Sequence, residues 1–511
     1  MRLRTSSLRA LLSLTALLLC AAGLASPRQV HLTILHTNDT HGRLLPFSYP
    51  EVFDANSDLA RLAHRRNIGG IARRAAIATV VRSEPGRQTL LVDAGDICDG
   101  TPFSTEFKGE ADVAAMNAAG YDLACPGNHE LNNTVAQLRK LVSAARYPTI
   151  CANLVENGTG KPFLRRYVIR QVGPVRVAFF GLLTTDAGKY PAAREGLTVT
   201  SPVEAAKRLA PALRKQADLV VALTHIGIDE DRALARRVPD VDVIVGGHSH
   251  TLLPQPLLVP QPSRRQGSVR GTIIAQNFQW GGTLGRLDLT LSKGPTGHWS
   301  IQRYAGRLLP VTSSTRPDPA VARVVDRWWR PIASKYGRVV GTALGDFARK
   351  GQDRAEYNLM CDAMRATTGA DFHMENLGGV RSPLARGPIT YADLVTMDPF
   401  SNTLVRFKAT GAWIARTLAK HRPAVSGIRY AVDGTRLVRA EVGGEPLDEN
   451  RVYTGSTNSY YARTLLEGVE EKVDTGQGRL AALMAYVESR RHLRPSYDGR
   501  RVVLNLGREE E

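Results

Sequence analysis

From His31 to about Leu291 the chain repeats one rhythm: a short run of β-branched apolar residues, then a longer stretch with apolar positions at helical spacing. Such alternation predicts an α/β domain built in layers. Strands are expected at 31–37, 89–93, 122–125, 149–152, 175–181, 219–224 and 241–245, with helices at 113–119, 135–145 and 203–216 between them. A Ser/Thr/Pro cluster over 310–319 breaks the rhythm, and the amphipathic stretch 320–336 that follows reads as a linker helix. Beyond it, helical patterns at 358–368, 412–421 and 478–489 mix with hairpin signals at Asp433-Gly434 and Gly443-Gly444. That mixture predicts a second domain of α+β type.

Length agrees with two units, because 511 residues exceed what one hydrophobic core ordinarily supports. With 43% hydrophobic and 23% charged residues the composition is globular, and the body of the chain holds no apolar run long enough to span a bilayer. The N-terminus differs. Arg2, Arg4 and Arg9 precede an apolar run over 10–24 that ends among small residues at Gly23 and Ala25. This layout predicts a signal peptide at 1–25 and export to the periplasm, the cell surface or the medium. Membrane attachment would require Cys20 to become a lipidated N-terminus, and the bulk of Leu19 before it disfavours that processing. Cys98, Cys125, Cys151 and Cys361 are too widely spaced for a zinc ribbon. Outside the cytoplasm disulfides are permitted, but in a large domain with its own core the expectation is buried free thiols. A net charge of +19 favours anionic partners such as nucleotides, nucleic acid or a membrane surface. Because the basic residues are scattered and not interleaved with aromatics, no stable nucleic-acid partner is expected.

Five segments each carry an apolar strand into a polar turn bearing His, Asp or Asn. They are Thr37-Asn38-Asp39-Thr40-His41-Gly42, Asp93-Ala94-Gly95-Asp96, Gly127-Asn128-His129-Glu130, Thr224-His225 and Gly246-Gly247-His248-Ser249-His250. In an α/β sheet the loops leaving the carboxyl ends of strands meet at one crevice, so these side chains can converge. Singly, a strand-end Asp is more often a cap and a lone His a satisfied core or surface residue. The spacing Asp39-x-His41 adds to the signal, since alternate residues of an extended segment project to one side.

Taken together the segments resemble the signature blocks of the calcineurin-like metallophosphoesterases, and TNDTHG, GNHE and GGHSH are similar to the 5′-nucleotidase branch. Downstream, Asn376-Leu377-Gly378-Gly379-Val380-Arg381 and Pro399-Phe400-Ser401-Asn402 resemble that branch's C-terminal substrate-binding domain. The resemblance implies a layered β-sandwich flanked by helices at 29–310, a linker at 311–338 and an α+β substrate-binding domain at 339–507. It implies two divalent metal ions, one taken by Asp39, His41 and His250, the other by Asn128, His225 and His248, with Asp96 bridging. Imidazole, carboxylate and amide ligands without thiolate suit Zn²⁺, Mn²⁺ or similar ions.

His129 matches the family's catalytic histidine. A carboxylate commonly follows it three residues on; here that position is Asn132, which can accept the ring N–H but brings no charge to the imidazolium. Arg381 after Gly378-Gly379, with Asn376, is implied for phosphate binding, and Arg349, Lys350 and Arg354 are further phosphate candidates. Phe400 and Tyr460 match the two walls of an aromatic clamp for a base. The family's GGDG turn, with its ribose-contacting Asp, is missing after Tyr461. The activity implied is removal of phosphate from nucleoside 5′-monophosphates. The rivals are action on 2′,3′-cyclic nucleotides, nucleotide sugars or a non-nucleotide ester, and, from another class, an exported binding protein with a relict site.

Overall fold

The computed structural model describes residues 29–50, 66–261, 269–294 and 297–504. The expected signal peptide at 1–25, with Cys20, and the acidic end at 509–511 lie outside the described residues. In the first domain two sheets face each other. One runs in the order Trp299–Pro310, Thr283–Lys293, Gln29–Thr37, Arg87–Asp93, Leu123–Ala124, and the other Leu257–Pro260, Gly271–Gln276, Val243–Gly246, Leu219–His225, Val175–Leu183, Tyr167–Val172. Both are mixed: Gln29–Thr37 pairs parallel to Arg87–Asp93 but antiparallel to Thr283–Lys293.

Strand alternation explains the layering. Leu32, Ile34, Val177, Phe179, Val221 and Leu223 point into the sandwich, where they are buried together. Their neighbours Ala178, Phe180, Val220 and Ala222 point the other way, beneath helices Pro202–Arg214 and Ile228–Arg237. On the opposite side Leu35, Leu91 and Leu284 lie under helices Ile71–Arg82 and Glu110–Ala119. Strands whose two faces are both covered by apolar layers read as continuous apolar runs, which made them visible in the sequence.

Two expectations need correction. The run 149–152 makes only isolated bridges, because it crosses between the sheets and bonds once to each neighbour: Ile150 N to Ala124 O, Cys151 N to Arg165 O, Ala152 N to Gly181 O. The linker helix is two pieces, Pro319–Trp329 and Ala333–Tyr336, divided at Pro331, whose ring cannot continue the helical ladder. Asp318 caps the first piece through the Ala320 and Val321 amides. The four cysteines are buried free thiols.

The second domain holds a five-stranded sheet ordered Ala424–Ser426, Phe372–Glu375, Val452–Asn458, Thr403–Thr410, Lys472–Gly478, with further small sheets and helices Ala355–Thr368, Gly411–His421 and Arg479–Arg490. Among the described residues no helix is long and apolar enough to cross a membrane.

Candidate metal centre and substrate cleft

Strand ends Thr37, Asp93, His225 and Gly246 deliver four of the five polar turns to one place. Asp39, His41, Asp96, His248 and His250 all have positive φ, 51°, 47°, 55°, 78° and 52°. Left-handed backbone costs a residue bearing a Cβ roughly 1–2 kcal/mol. Asp39 and His41 therefore converge through left-handed turns, not by alternation along an extended segment. Backbone bonds hold the turns: Asp39 N to Gly95 O at 2.8 Å, His41 N to Asp96 O at 3.0 Å and Trp280 N to Asp39 O at 2.7 Å. Glycines permit the closeness. A Cβ on Gly127 would collide with the Asp96 carboxylate, and one on Gly247 would stand 2.9 Å from His225 Nδ1.

The donors form groups that share members. His250 Nε2 lies 3.2 Å from Asp39 Oδ1 and 3.2 Å from His41 Nε2. Asp96 Oδ2 lies 3.1 Å from His225 Nε2 and 3.9 Å from both His41 Nε2 and His129 Nε2. Asp39, His41 and His250 form one set within ion-holding reach, His41, Asp96 and His129 a second, and Asp96, His225 and His248 a third, so that His41 and Asp96 each belong to two. His41 Nδ1 bonds the Asp99 carbonyl at 3.0 Å and His225 Nδ1 the Ala94 carbonyl at 2.7 Å, which turns each Nε2 inward. Burial alone would discharge His225, but Asp96 and Asp39 lift its pKa to about 10; burial pushes Asp39 up, but His250 and His225 together bring it down to about 2. Buried Asn128 Oδ1 has no hydrogen-bond partner, and His225 Nε2 meets only the Asp96 carboxylate. An orphaned amide oxygen beside inward-turned imidazoles and shared carboxylates is what a cation would satisfy, so the residues fit divalent metal ions.

Residues without a metal-ligand signature in the sequence support this centre. Glu130 accepts from the Gly127, Asp96 and Ile97 amides at 2.6, 2.9 and 3.0 Å, locking the Asp96 turn to the Asn128 turn. Asp99 overturns the reading that His129 lacks a charged partner: its Oδ2 lies 2.6 Å from His129 Nδ1 and also accepts from Asn132 Nδ2. The carboxylate comes from another turn, and Asn132 braces it. Burial opposes a charged His129, yet Asp96 and the bond to Asp99 raise its pKa above the ordinary histidine value. Tyr190, which carried no sequence signal, receives a hydrogen bond from Asn128 Nδ2 at 2.7 Å, and burial pushes its hydroxyl pKa up to about 12.

A cleft of about 720 Å³ opens beside these residues, lined from the first domain by Asn128, His129, Asn132, Tyr190 and His248, and from the second by Asn376, Gly378, Gly379, Arg381, Phe400 and Tyr460. The Arg381 backbone amide bonds Met397 O, while its guanidinium has no hydrogen-bond or ion-pair partner among the described residues. Tyr460 is 62% exposed. Beneath this wall lies Arg479, fully buried, bonding Asp398 and Glu375 at 2.9 Å each and the Gly379 carbonyl at 2.8 Å. Its guanidinium carbon stands 6.0 Å from the Phe400 ring, so one buried cation braces the glycine turn and lies close to the aromatic wall. Arg349, Lys350 and Arg354 do not line the cleft. They sit on a hairpin about Gly351: Arg349 bonds its carbonyl, Lys350 lies over Tyr497, and Arg354 lies over Tyr357, whose hydroxyl receives the Gly378 amide.

Layers and site together define a metallophosphoesterase. The calcineurin-like phosphoesterase family profile matches residues 32–252, and that of the 5′-nucleotidase C-terminal domain matches 339–465. The chain belongs to the two-domain 5′-nucleotidase family and is a phosphoric monoester hydrolase. It is 27% identical to protein UshA of Yersinia enterocolitica, over 89% of this chain and 90% of that one. To a 5′-nucleotidase of Vibrio cholerae it is 28% identical over 84% of each. The crystal structure of a 5′-nucleotidase precursor from Thermus thermophilus superposes with a TM-score of 0.79 at 28% identity, covering 93% of this chain and 100% of that one.

Proposed function

We propose that the chain is an exported 5′-nucleotidase that hydrolyses nucleoside 5′-monophosphates to nucleosides and orthophosphate with two divalent cations. The observation that carries this reading is Asp96, shared between two donor groups beside a cleft that receives an unpaired guanidinium from the other domain. Asp39, His41 and His250 would hold one cation, Asn128, His225 and His248 the other, with Asp96 serving both. When bound, such a pair supplies Lewis-acid polarisation of the phosphoryl group and activation of the attacking water. The side chains do the rest. Arg381 offers a planar fork to the phosphoryl oxygens, and Asn376, Gly378 and Gly379 let backbone approach it closely. His129, held through Nδ1 by Asp99, presents a proton on Nε2 to the departing oxygen. Phe400 and Tyr460 take the base. Export rests on the leader at 1–25, and the metal-binding unit is taken as 29–310 with its substrate-binding partner at 339–507.

A second reading keeps the centre but changes the substrate to a 2′,3′-cyclic nucleotide, a nucleotide sugar or a non-nucleotide ester. It is supported by helix Ser459–Leu465, which runs on past Tyr461 where the family has its sugar-binding glycine turn. Orthophosphate release from a panel of these esters, with Mn²⁺ or Zn²⁺ and with chelator, tests both. The expected result is highest kcat/KM for 5′-monophosphates, abolished by chelator and restored by metal. Preference for another ester selects the second reading, and no chelator-sensitive release from any ester leaves a relict binding protein.

A further inference from the structure

We propose that Tyr190 is a positioning residue that holds the amide of Asn128 by its NH₂ end, steadying the carbonyl oxygen toward a cation. The inference rests on the two-cation reading above. An asparagine is an ambiguous ligand: its oxygen can coordinate a cation, its nitrogen cannot, and a half-turn about the last side-chain bond exchanges them. The Asn128 oxygen has no partner and its nitrogen has one, the Tyr190 hydroxyl at 2.7 Å; a hydroxyl can also donate, so the phenol steadies the amide while a cation's charge selects the oxygen. By accepting from the amide nitrogen, the phenol leaves the oxygen as the free donor atom.

Tyr190 is well placed to hold this orientation. It ends the short turn Thr185–Lys189, where its amide bonds Ala187 O at 3.2 Å, and its carbonyl receives Arg194 N at 3.2 Å. The turn is tied to the strand bearing His225, since Thr184 N bonds His225 O at 2.9 Å. The Tyr190 ring stands edge-on to His129, with centroids 5.7 Å apart. Hydroxyl, amide and the His225 turn therefore form one mechanically connected unit, and the backbone bonds that shape it do not involve the hydroxyl.

The test is calorimetric titration of metal-stripped protein with Mn²⁺. Wild type should take two ions. Tyr190→Phe should bind one of them about 10-fold or more weakly, the usual cost of losing a partner that orients a ligand, with the other unchanged. An aspartate at 128 has two equivalent oxygens and needs no orienting, so in an Asn128→Asp background Tyr190→Phe should cost much less. Wild-type affinity for both ions in Tyr190→Phe would overturn the proposal, as would an equal loss in the Asn128→Asp background or failure of metal-free Tyr190→Phe to fold, since the hydroxyl would then be structural. If wild type takes fewer than two ions, the two-cation reading falls and this proposal with it.

Discussion

Asp99→Asn isolates the one charge that the metal-binding turns give to His129 from the side away from the metals. The carboxylate oxygen lies 2.6 Å from Nδ1, with the His129 side chain 13% and the Asp99 side chain 27% exposed. A hydrogen bond between such charged groups contributes about 1.5–3 kcal/mol, and partial exposure argues for the lower half, about 1.5–2 kcal/mol. If the protonated ring assists the leaving oxygen, kcat should fall about 10- to 30-fold, while KM changes little. The sign of the pH effect follows from the raised pKa of His129: the proton is retained to higher pH, so removing the charge should move the alkaline limb of kcat to lower pH. Asn132→Asp should bring no gain, because the Asn132 amide donates to Asp99 and a second carboxylate would meet the first. The assay is orthophosphate release across pH at saturating nucleotide, with metal content measured for each variant. Wild-type kcat and a superimposable profile in Asp99→Asn at equal metal content would refute the coupling.

Asp96→Ala should lose both ions or nearly all turnover; two retained ions by elemental analysis would remove its shared role. Phe400→Ala should raise KM for a nucleotide far more than for a small aryl phosphate, since stacking on a base contributes about 1–3 kcal/mol; equal effects on both would argue against a base clamp. Arg479→Met strands the buried Glu375 and Asp398 carboxylates, and thermal or denaturant unfolding should report a loss of about 3–5 kcal/mol. A loss below about 1 kcal/mol would show that the network relaxes without its cation.

What the sequence disclosed and what it hid divide along a physical line. The strands of the sandwich were legible because both of their faces are apolar, and the polar turns were legible because each interrupts such a run. Run 149–152 has the same composition but bonds to two different sheets, a fact of tertiary placement that periodicity does not carry. The supporting residues were hidden for a similar reason. Asp99 lies three positions beyond Asp96 and Glu130 ends the turn Gly127-Asn128-His129-Glu130, yet their work is done across turns, and Arg479 acts from 100 residues beyond the carbonyl it holds. Arg349, Lys350 and Arg354 carry the charge of phosphate candidates, but a hairpin about Gly351, with φ of 62°, places them outside the cleft lining, which charge in a sequence does not disclose.

The left-handed turns set the direction in which this protein would decay. At Asp39, His41, Asp96, His248 and His250 the backbone has the shape glycine prefers, and relief of about 1 kcal/mol awaits each replacement that discards the side chain. Glycine at these positions would also remove buried or half-buried groups that have to be charged or metallated. A library of this chain screened for heat resistance alone, without metal or substrate, would therefore be drawn toward inactive members. Selection for robustness has to be coupled to turnover, because in this fold the most comfortable backbone belongs to a protein that no longer works.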